Sequence, residues 1–383
     1  MKNKTLAIIG ASYLQLPLVL RAKEMGIRTL CFAWRDGAVC QSHCSRFFDV
    51  SITEKERILD ICRKESVDGI CTIASDVAVP TVNYVAQEMG LIGNSVESGY
   101  LATNKYAMRE ALSIGGCTCP IFRRFRSVEE AAEASLHIPY PLIVKPCDRS
   151  GSMGVTKVDN ESELLTAAEV ALNASFCREA IVEKHIEIAH EISVEGISWQ
   201  GKYHLLAVTD KVTTGPPHYV EIGQHQPSLL PESILTTAAR QATMGVHALG
   251  IRFGASHSEL MIDTEGKVYV TEIGSRMGGD FIGSDLVYLS TGYDFLRGVI
   301  EIALGSFSGV HTAQGKHAGV WFYTPNTPGV RNLIEHATDY PFIRRCELHP
   351  EELKPLTRSA DRAGYFIYRA DNRIDVDILN ELC

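Results

Sequence analysis

The chain has 383 residues, of which 45% are hydrophobic, so it can form two or three domains that each bury a core. Charged residues make up 22% and the formal net charge is -9, which excludes the basic surface that nucleic acids or anionic membranes require. No stretch approaches the roughly 20 apolar residues of a membrane span. We therefore expect a cytoplasmic protein without nucleic-acid or membrane partners.

The N-terminal residues alternate short apolar runs, typical of buried strands, with amphipathic stretches typical of helices. The predicted strands cover 6–9, 29–32 and 69–73, and the predicted helices cover 16–25, 54–64 and 79–89. This alternation predicts a doubly wound parallel sheet over residues 1–98. Gly10-Ala-Ser12 follows the first strand, where such folds offer N–H groups to an anion. Because the full G-x-G-x-x-G pattern is missing, a structural turn is favoured over a nucleotide site.

The cysteines are eleven in number and scattered, so they do not form the dense framework of a small secreted domain. Reduced thiols are the expected state. Cys40-Gln-Ser-His43-Cys44 could supply metal ligands, and Cys117-Thr-Cys119 is a second close pair. No further ligand pair follows at a zinc-binding spacing, so buried thiols are favoured over a zinc site.

Hairpins and longer helices replace the alternation after residue 98. The predicted helices cover 104–113, 162–172, 231–249 and 292–304. We predict an α+β domain over residues 99–305. The last segment, 306–383, contains two strand-like runs and is predicted to form a small C-terminal α+β domain.

Two apolar runs around a four-residue turn predict a β-hairpin within residues 257–276. If Ile262 pairs with Lys267, period-two alternation puts the two glutamates of the hairpin on one face. Glu259 and Glu272 would then be diagonal neighbours about 7–8 Å apart, within reach of a shared metal. Carboxylates combined with phosphate oxygens suit Mg²⁺ or Mn²⁺, whereas two exposed carboxylates on a solvated strand are the alternative.

A loop rich in small residues, 146–154, follows the predicted strand that ends at Lys145. A strand-loop-strand of this kind can fold over phosphates, with backbone N–H groups as donors and the lysine as a point charge. It is not a Walker loop, because Gly-Lys-Ser/Thr is absent. Further along, the extended segment 181–186 offers a backbone edge to an adenine, and Glu191 follows within reach of ribose hydroxyls.

The order and spacing of these pieces resemble the ATP-grasp enzymes over residues 5–305. The resemblance rests on Lys105, Lys145 with its loop, Glu183-Lys-His-Ile186, Glu191-Ile-Ser-Val-Glu195, Asp210-Lys211, Glu259 and Glu272-Ile-Gly-Ser-Arg276. Similar families include the L-amino-acid ligases, phosphoribosylglycinamide synthetase and the ATP-binding domains of the carbamoyl-phosphate synthase large chain. The implied fold is an N-terminal pre-ATP-grasp domain, a two-lobed ATP-grasp domain and a small C-terminal domain.

The resemblance also implies roles for individual residues. Those implied to bind ATP are Lys105, Lys145, Ser150, Gly151, Ser152, Gly154, Glu183, Lys184, Ile186 and Glu191. Glu259 and Glu272 would bind Mg²⁺ or Mn²⁺. Lys211 would act on the phosphate side, and Arg276 would stabilise charge on the transferring phosphoryl group and the acyl phosphate. Many family members carry Asn where this chain has Gly274, so the resemblance leaves the number of metals open.

A polar segment rich in Gly and Pro, 213–227, looks too polar for the core and unsuited to a helix. Its acid followed by Gly-x-His-x-Pro resembles a loop of ATP-grasp amino-acid ligases. This resemblance implies that Glu221 and His225, together with Arg276, bind substrate, with the acid holding an amino group. An ordinary surface loop is the alternative.

The implied activity is an ATP-dependent carboxylate–amine ligation that forms an amide or peptide bond through an acyl phosphate and releases ADP and phosphate. Its partners would be a small carboxylate and a small amine, and the sequence leaves the assembly state open, a homodimer included. Three alternatives remain: a purine-pathway ligase resembling phosphoribosylglycinamide synthetase, a carboxylase resembling biotin carboxylase, and a nucleotide sensor without turnover. The missing bicarbonate-binding and biotin-carrier motifs disfavour the carboxylase.

Overall fold

The N-terminal residues form a four-stranded parallel sheet with helices between its strands. The computed structural model describes residues 3–149, 151, 153–216, 218–313, 315–349 and 353–382. The first elements are β1 (Thr5–Ile9), α1 (Leu16–Glu24), β2 (Arg28–Ala33), β3 (Arg46–Asp49), α2 (Lys55–Lys64), β4 (Gly69–Cys71) and α3 (Val79–Met89). The order β3-β2-β1-β4 and the full burial of β1 confirm the predicted doubly wound sheet. The half-buried edge strand β3 was not predicted, because it lacks a continuous apolar run.

A second, smaller sheet of four antiparallel strands follows in the order β5-β8-β6-β7. This part contains α4 (Val96–Leu101), α5 (Lys105–Ile114), β5 (Phe122–Phe125), α6 (Val128–Ser135), β6 (Leu142–Pro146), β7 (Thr156–Val158), α7 (Glu161–Ala174) and β8 (Ala180–Lys184). Helix α7 buries Leu164, Ala168 and Leu172 in one core with Val144 and Val182 of the sheet. The helix therefore stabilises the sheet through apolar burial on one face.

The largest sheet has eight antiparallel strands in the order β13-β12-β9-β10-β11-β14-β16-β15. Its elements before residue 306 are β9 (Ile188–Trp199), β10 (Lys202–Thr213), β11 (Glu221–Gln226), α8 (Glu232–Ala248), β12 (Gly254–Asp263), β13 (Val268–Gly274), α9 (Val287–Thr291) and α10 (Phe295–Ala303). Helix α8 packs Ala238, Ala242 and Val246 into a core that includes Val194 and Leu260 of the sheet. This core supports the strands that carry most of the charged residues described below.

The C-terminal segment extends the same sheet. Its elements are β14 (His317–Phe322), α11 (Val330–Glu335), β15 (Ile343–Leu348), β16 (Gly364–Ala370) and α12 (Val376–Leu382). The segment contributes Trp321, Leu333 and Phe366 to an apolar core that also includes Ile222 of β11. Its first strand also pairs with β11, so it shares a sheet with the preceding residues. The hydrophobic pattern predicted the strands but could not show which edge they join.

The hairpin formed by β12 and β13 has a different register from the predicted one. Ile262 pairs with Val268, and a β-bulge between Glu259 and Leu260 shifts the pairing by one residue. As a result Glu259 lies directly opposite Glu272. The predicted diagonal arrangement was therefore wrong, because the bulge brings the two carboxylate-bearing residues closer along the strands.

The remaining expectations concern the chain as a whole. In the described ranges, no helix combines the length and apolarity needed to cross a membrane. The cysteines among the described residues are free thiols. Cys40 is buried and its thiol contacts the carbonyl oxygen of Ser12, which fits the favoured interpretation of a structural thiol.

Candidate active site

A buried ion triad links α5 to the small sheet. Glu183 on β8 divides its carboxylate between two cations: Arg109 Nε donates to Oε1 at 2.5 Å, and Lys145 Nζ lies 2.6 Å from Oε2. Glu183 and Lys145 meet because they are diagonal neighbours on paired strands β8 and β6. Burial acts to raise the pKa of Glu183, but the two cations outweigh it and lower that pKa to about 2. Glu183 is therefore ionised at neutral pH.

Helix α5 carries a second cation that reaches the large sheet. Asn104 caps this helix by accepting a hydrogen bond from the backbone N–H of Ala107, which places Lys105 in the first turn. Lys105 Nζ donates to Glu272 Oε2 on β13 at 2.7 Å. Burial acts to lower the pKa of Lys105, but Glu272 outweighs it and raises that pKa. Ion pairs from one helix thus connect both sheets.

Lys211 is the most enclosed cation of the large sheet. Its Nζ lies 2.7 Å from Glu191 Oε1 and 3.3 Å from oxygens of both Glu221 and Glu259. The three carboxylates belong to β9, β11 and β12, and adjacent strand positions bring them around one lysine. Burial acts to lower the pKa of Lys211, but the carboxylates raise it well above its usual value. Three carboxylates around one cation leave an excess of negative charge here, which favours a further cation.

The opposed glutamates fit a magnesium ion. Mg²⁺ in nucleotide sites is usually held by one or two carboxylates together with phosphate oxygens and water. Glu259 and Glu272 supply such a pair, and Lys211 lowers the pKa of Glu259 well below its usual value, so it remains ionised. Among the described residues no group of three or more His, Cys, Asp or Glu side chains is arranged as a complete metal site. The donor set therefore suits a metal that also binds phosphate.

A buried histidine orients Glu259. His257 Nδ1 lies 2.8 Å from Glu195 Oε1 and its Nε2 lies 3.3 Å from Glu259 Oε1. Ser193 donates a further hydrogen bond to Glu195 Oε1 at 2.8 Å. Burial acts to lower the pKa of His257, but Glu195 outweighs it and raises that pKa to about 9. Sequence reasoning assigned no role to His257, although its alternation with Glu259 along the strand was visible.

Arg276 is held by the N-terminal domain. Its Nε and Nη2 donate to the two oxygens of Asp76 at 2.9 and 2.8 Å, in the bidentate geometry that fixes a guanidinium in orientation. Asp76 follows β4, and the backbone N–H of Ala74 donates to the carbonyl of Met277 at 3.1 Å. The N-terminal domain thus contacts the segment after β13 at the predicted catalytic arginine. Sequence reasoning missed Asp76, since 200 residues separate the partners.

This ion pair explains the glycine at position 274. A Cβ atom at Gly274 would lie 2.9 Å from Asp76 Oδ1, a distance that real Cβ contacts essentially never show, and 3.1 Å from Arg276 Cζ, which is tighter than most. The space that a side chain at 274 would need is therefore taken by the Asp76 carboxylate. The absence of a side chain at Gly274 is thus what allows the Asp76 carboxylate to lie beside Arg276.

Replacement of Gly274 by alanine is expected to displace the ion pair of Asp76 and Arg276. Overpacking of this kind costs about 1–3 kcal/mol. If the cost falls on the transition state, it lowers kcat/KM roughly 5- to 150-fold. The measurement is ADP release by the two proteins, and Gly279→Ala is the control because its Cβ meets only an ordinary 3.6 Å contact with Ala74. Equal losses in both variants would contradict this explanation.

The predicted substrate segment is only partly a loop. Residues 221–226 form β11 in the large sheet, where Gln224, His225 and Gln226 are buried and Gln226 Nε2 donates to Thr209 Oγ1 of β10 at 2.9 Å. His225 is fully buried, with Nδ1 2.9 Å from Tyr368 Oη and its ring 4.8 Å from that of Trp321. It is therefore a core residue in this structure, contrary to the expected polar loop. Glu221 lies at the start of the strand and stays partly accessible beside Lys211.

A further ion pair close to Glu221 was also missed. Arg362 donates from Nη1 and Nη2 to the two oxygens of Asp280 at 2.8 and 2.7 Å. The neighbouring Ser359 donates to Glu221 Oε2 at 3.4 Å. Residues 359–362 from the C-terminal segment therefore border the region around Glu221. No local sequence signal could link positions so far apart in the chain.

The remaining predicted ATP residues lie around the small sheet. Ser150 and Ser152 lie outside the described residues. Gly151 and Gly154 have φ values of 65° and 73°, a backbone conformation that favours glycine. Lys184 Nζ donates to the carbonyl of Tyr140 at 3.1 Å. The following residues, up to Ile186, are partly exposed.

The loop after β1 uses its N–H donors within the fold. Gly10 donates to the carbonyl of Phe32 at 2.9 Å, and the backbone N–H of Ser12 donates to Gln15 Oε1 at 3.0 Å. Both donors are thus engaged, as expected for a structural turn.

Comparison with known proteins identifies the class to which this arrangement belongs. Residues 138–285 match the family model of the ATP-grasp domain, so the chain contains an ATP-grasp domain. This finding confirms the predicted resemblance and fold class.

The chain is also similar to individual proteins. The crystal structure of L-amino acid ligase from Bacillus licheniformis superposes with a TM-score of 0.81 at 24% identity, covering 100% of this chain and 97% of that one. An uncharacterized protein named y4rH, from Sinorhizobium fredii, is 24% identical over 319 residues, which are 80% of this chain and 65% of that protein. Alanine–anticapsin ligase of Bacillus subtilis is 24% identical over 245 residues, 58% of this chain and 51% of that protein. The chain thus spans less than two thirds of both sequence relatives.

Proposed function

We propose that this chain is an ATP-dependent carboxylate–amine ligase, which forms an amide bond through an acyl phosphate and releases ADP and phosphate. The observation that carries the proposal is the charge arrangement of the site. Lys105 and Lys211 are each paired with one member of the opposed carboxylates Glu272 and Glu259. Lysines and carboxylates so arranged suit a triphosphate with Mg²⁺, since the cations contact phosphate oxygens and the carboxylates hold the metal.

Phosphoryl transfer depends on positioning and charge, and the chain offers both. In the proposed first step an oxygen of the substrate carboxylate attacks the γ-phosphorus of ATP, and ADP leaves. Lys145 and Lys105 would hold the phosphates, and Lys211 would lie on the side of the transferring group. Bound at Glu259 and Glu272, Mg²⁺ would supply charge neutralisation of the phosphates. Arg276, fixed by Asp76, would donate to the transferring phosphoryl group.

The second step requires an amine close to the acyl phosphate. The amine nitrogen attacks the acyl carbon, the C–O bond to phosphate breaks, inorganic phosphate leaves and the nitrogen loses a proton. Glu221 is suited to bind the ammonium form of this substrate, because it lies in the cluster with excess negative charge around Lys211. The bound ammonium group would lose one proton before its nitrogen attacks, in addition to the proton lost afterwards. We therefore propose an amino acid as the amine substrate and a small carboxylic acid as its partner. The activity would reside in the cytoplasm.

The proposal is tested by measuring ADP and phosphate release over a panel of carboxylate and amine pairs. A ligase should release both products only when a productive pair is present, and an amide should accumulate in the same amount. A sensor without turnover would bind nucleotide but release neither product. A carboxylase would depend on bicarbonate, and a purine-pathway ligase would require a phosphoribosyl amine.

Replacement of Glu221 by glutamine is expected to impair use of the amine. Loss of a charge-assisted hydrogen bond costs about 1.5–3 kcal/mol, or roughly 10- to 150-fold in kcat/KM for the amine. Nucleotide affinity should change little, because Lys145 and the backbone edge of β8 are separate contacts. Both quantities are compared with those of Glu232→Gln, the same change at the exposed start of α8. If Glu221→Gln bound nucleotide more weakly and kept unchanged kcat/KM for the amine, Glu221 would be assigned to ATP binding instead of amine binding.

A further inference from the structure

A fully buried arginine in the site has no assigned role. Arg109 lies on α5 with 1% of its surface exposed, and its Nη1 has no hydrogen-bond partner among the described residues. Burial of a guanidinium is unfavourable unless the charge is paired and its donors are used. Its Nε is satisfied by Glu183. Because Nη1 donates to no described residue, the ion pair with Glu183 does not account for all the hydrogen-bond donors of Arg109.

The triad has an uneven charge count. One carboxylate, Glu183, faces two cations, Arg109 and Lys145, so the group carries a net positive charge. If Lys145 were the sole partner of Glu183, the pair would be neutral and would attract phosphate weakly. Because Glu183 divides its two oxygens between Arg109 at 2.5 Å and Lys145 at 2.6 Å, its single negative charge neutralises only one of the two cations. The net positive charge of the triad would attract an anionic ligand such as a phosphate group.

The position of Arg109 on its helix supports the same conclusion. Arg109 and Lys105 are four residues apart and therefore lie on one face of α5. Lys105 pairs with Glu272 on the large sheet, whereas Arg109 pairs with Glu183 on the small sheet. Helix α5 thus contacts both sheets. It carries Lys105, and through Glu183 it is linked to Lys145, the second lysine proposed to bind phosphate.

We propose that Arg109 is a positioning residue of the nucleotide site: by sharing Glu183 with Lys145 it gives the triad a net positive charge, which favours binding of the phosphates of ATP. This inference rests on the proposed function, because it requires that the site binds ATP. A purely structural role for Arg109 predicts a different result, because its loss would then weaken binding of adenosine and of Mg·ADP to the same extent.

The test compares binding of Mg·ADP and of adenosine by calorimetry. Arg109→Met and Arg109→Gln both remove the charge, and the glutamine variant retains a hydrogen-bond donor, so either serves if the other does not fold. We expect Mg·ADP affinity to fall about 10- to 100-fold in both, with adenosine affinity unchanged. Arg109→Lys should restore most of the Mg·ADP affinity. Arg126→Met is the control, since it removes an arginine paired with Glu179 at the exposed end of the same sheet.

The outcomes separate this inference from the proposed function. Wild-type affinity for Mg·ADP in the neutral variants, or equal losses for adenosine and Mg·ADP, would overturn the role of Arg109. Failure of the wild-type protein to bind either ATP or Mg·ADP would instead overturn the proposed function, and the role of Arg109 with it.

Discussion

Replacement of Lys145 by alanine is expected to lower turnover about 100- to 1,000-fold, the loss seen when a preorganised group aimed at developing charge is removed. Lys145 is the last residue but one of β6, its side chain is 13% exposed, and Glu183 holds its ammonium group in place at 2.6 Å. In the variant, Glu183 keeps Arg109 as its partner, so the buried carboxylate remains compensated and the fold should persist. The effect should therefore fall on the phosphates of ATP.

The measurement combines steady-state ADP release with nucleotide binding and thermal unfolding. Lys157→Ala serves as a matched control, because Lys157 lies on β7 of the same sheet and is exposed beside Asp159. Wild-type turnover in Lys145→Ala, or an equal loss in both variants, would remove Lys145 from the site.

Replacement of Glu272 by glutamine is expected to have a comparable effect by a different route. The change retains the shape of the side chain but removes the charge that would bind Mg²⁺ and that now pairs with Lys105. Turnover should fall about 100- to 1,000-fold through loss of charge stabilisation in the transition state. The apparent affinity for Mg²⁺ should fall as well, since only Glu259 remains of the opposed pair.

Turnover is therefore measured as a function of Mg²⁺ concentration, together with Mn²⁺ binding in the presence of ADP. Glu265→Gln is the control, because Glu265 lies in the exposed turn of the same hairpin. If Glu272→Gln kept normal turnover with unchanged metal dependence, the metal would have to bind elsewhere.

The amino-acid sequence was sufficient to predict the class of the fold and many of its helices and strands, although not β3 or β11. Short apolar runs and helical patterns of apolar residues placed β1, β2 and α1–α3 within a few residues of their observed bounds, because these elements are decided by local burial. The order of weak motifs from Lys105 to Arg276 predicted the ATP-grasp fold, since those positions recur at comparable spacing in the family. Such information is carried by residue type and spacing, both of which a sequence contains.

Contacts between distant segments were decided only by the tertiary structure. Glu259 and Glu272 face each other because of a bulge, a backbone irregularity that alternation of residue types does not reveal. His225 looked like a polar loop residue but is buried within β11, where its Nδ1 lies 2.9 Å from Tyr368 Oη of the C-terminal segment.

The ion pairs of Arg109 and Arg276 likewise depend on the folded chain. Their partners, Glu183 and Asp76, lie 74 and 200 residues away, so no local pattern connects them. Whether a buried cation is compensated, and which way its charge is directed, depends on which strands and helices meet. That choice is made by packing of whole elements, and it determines the electrostatics of this site.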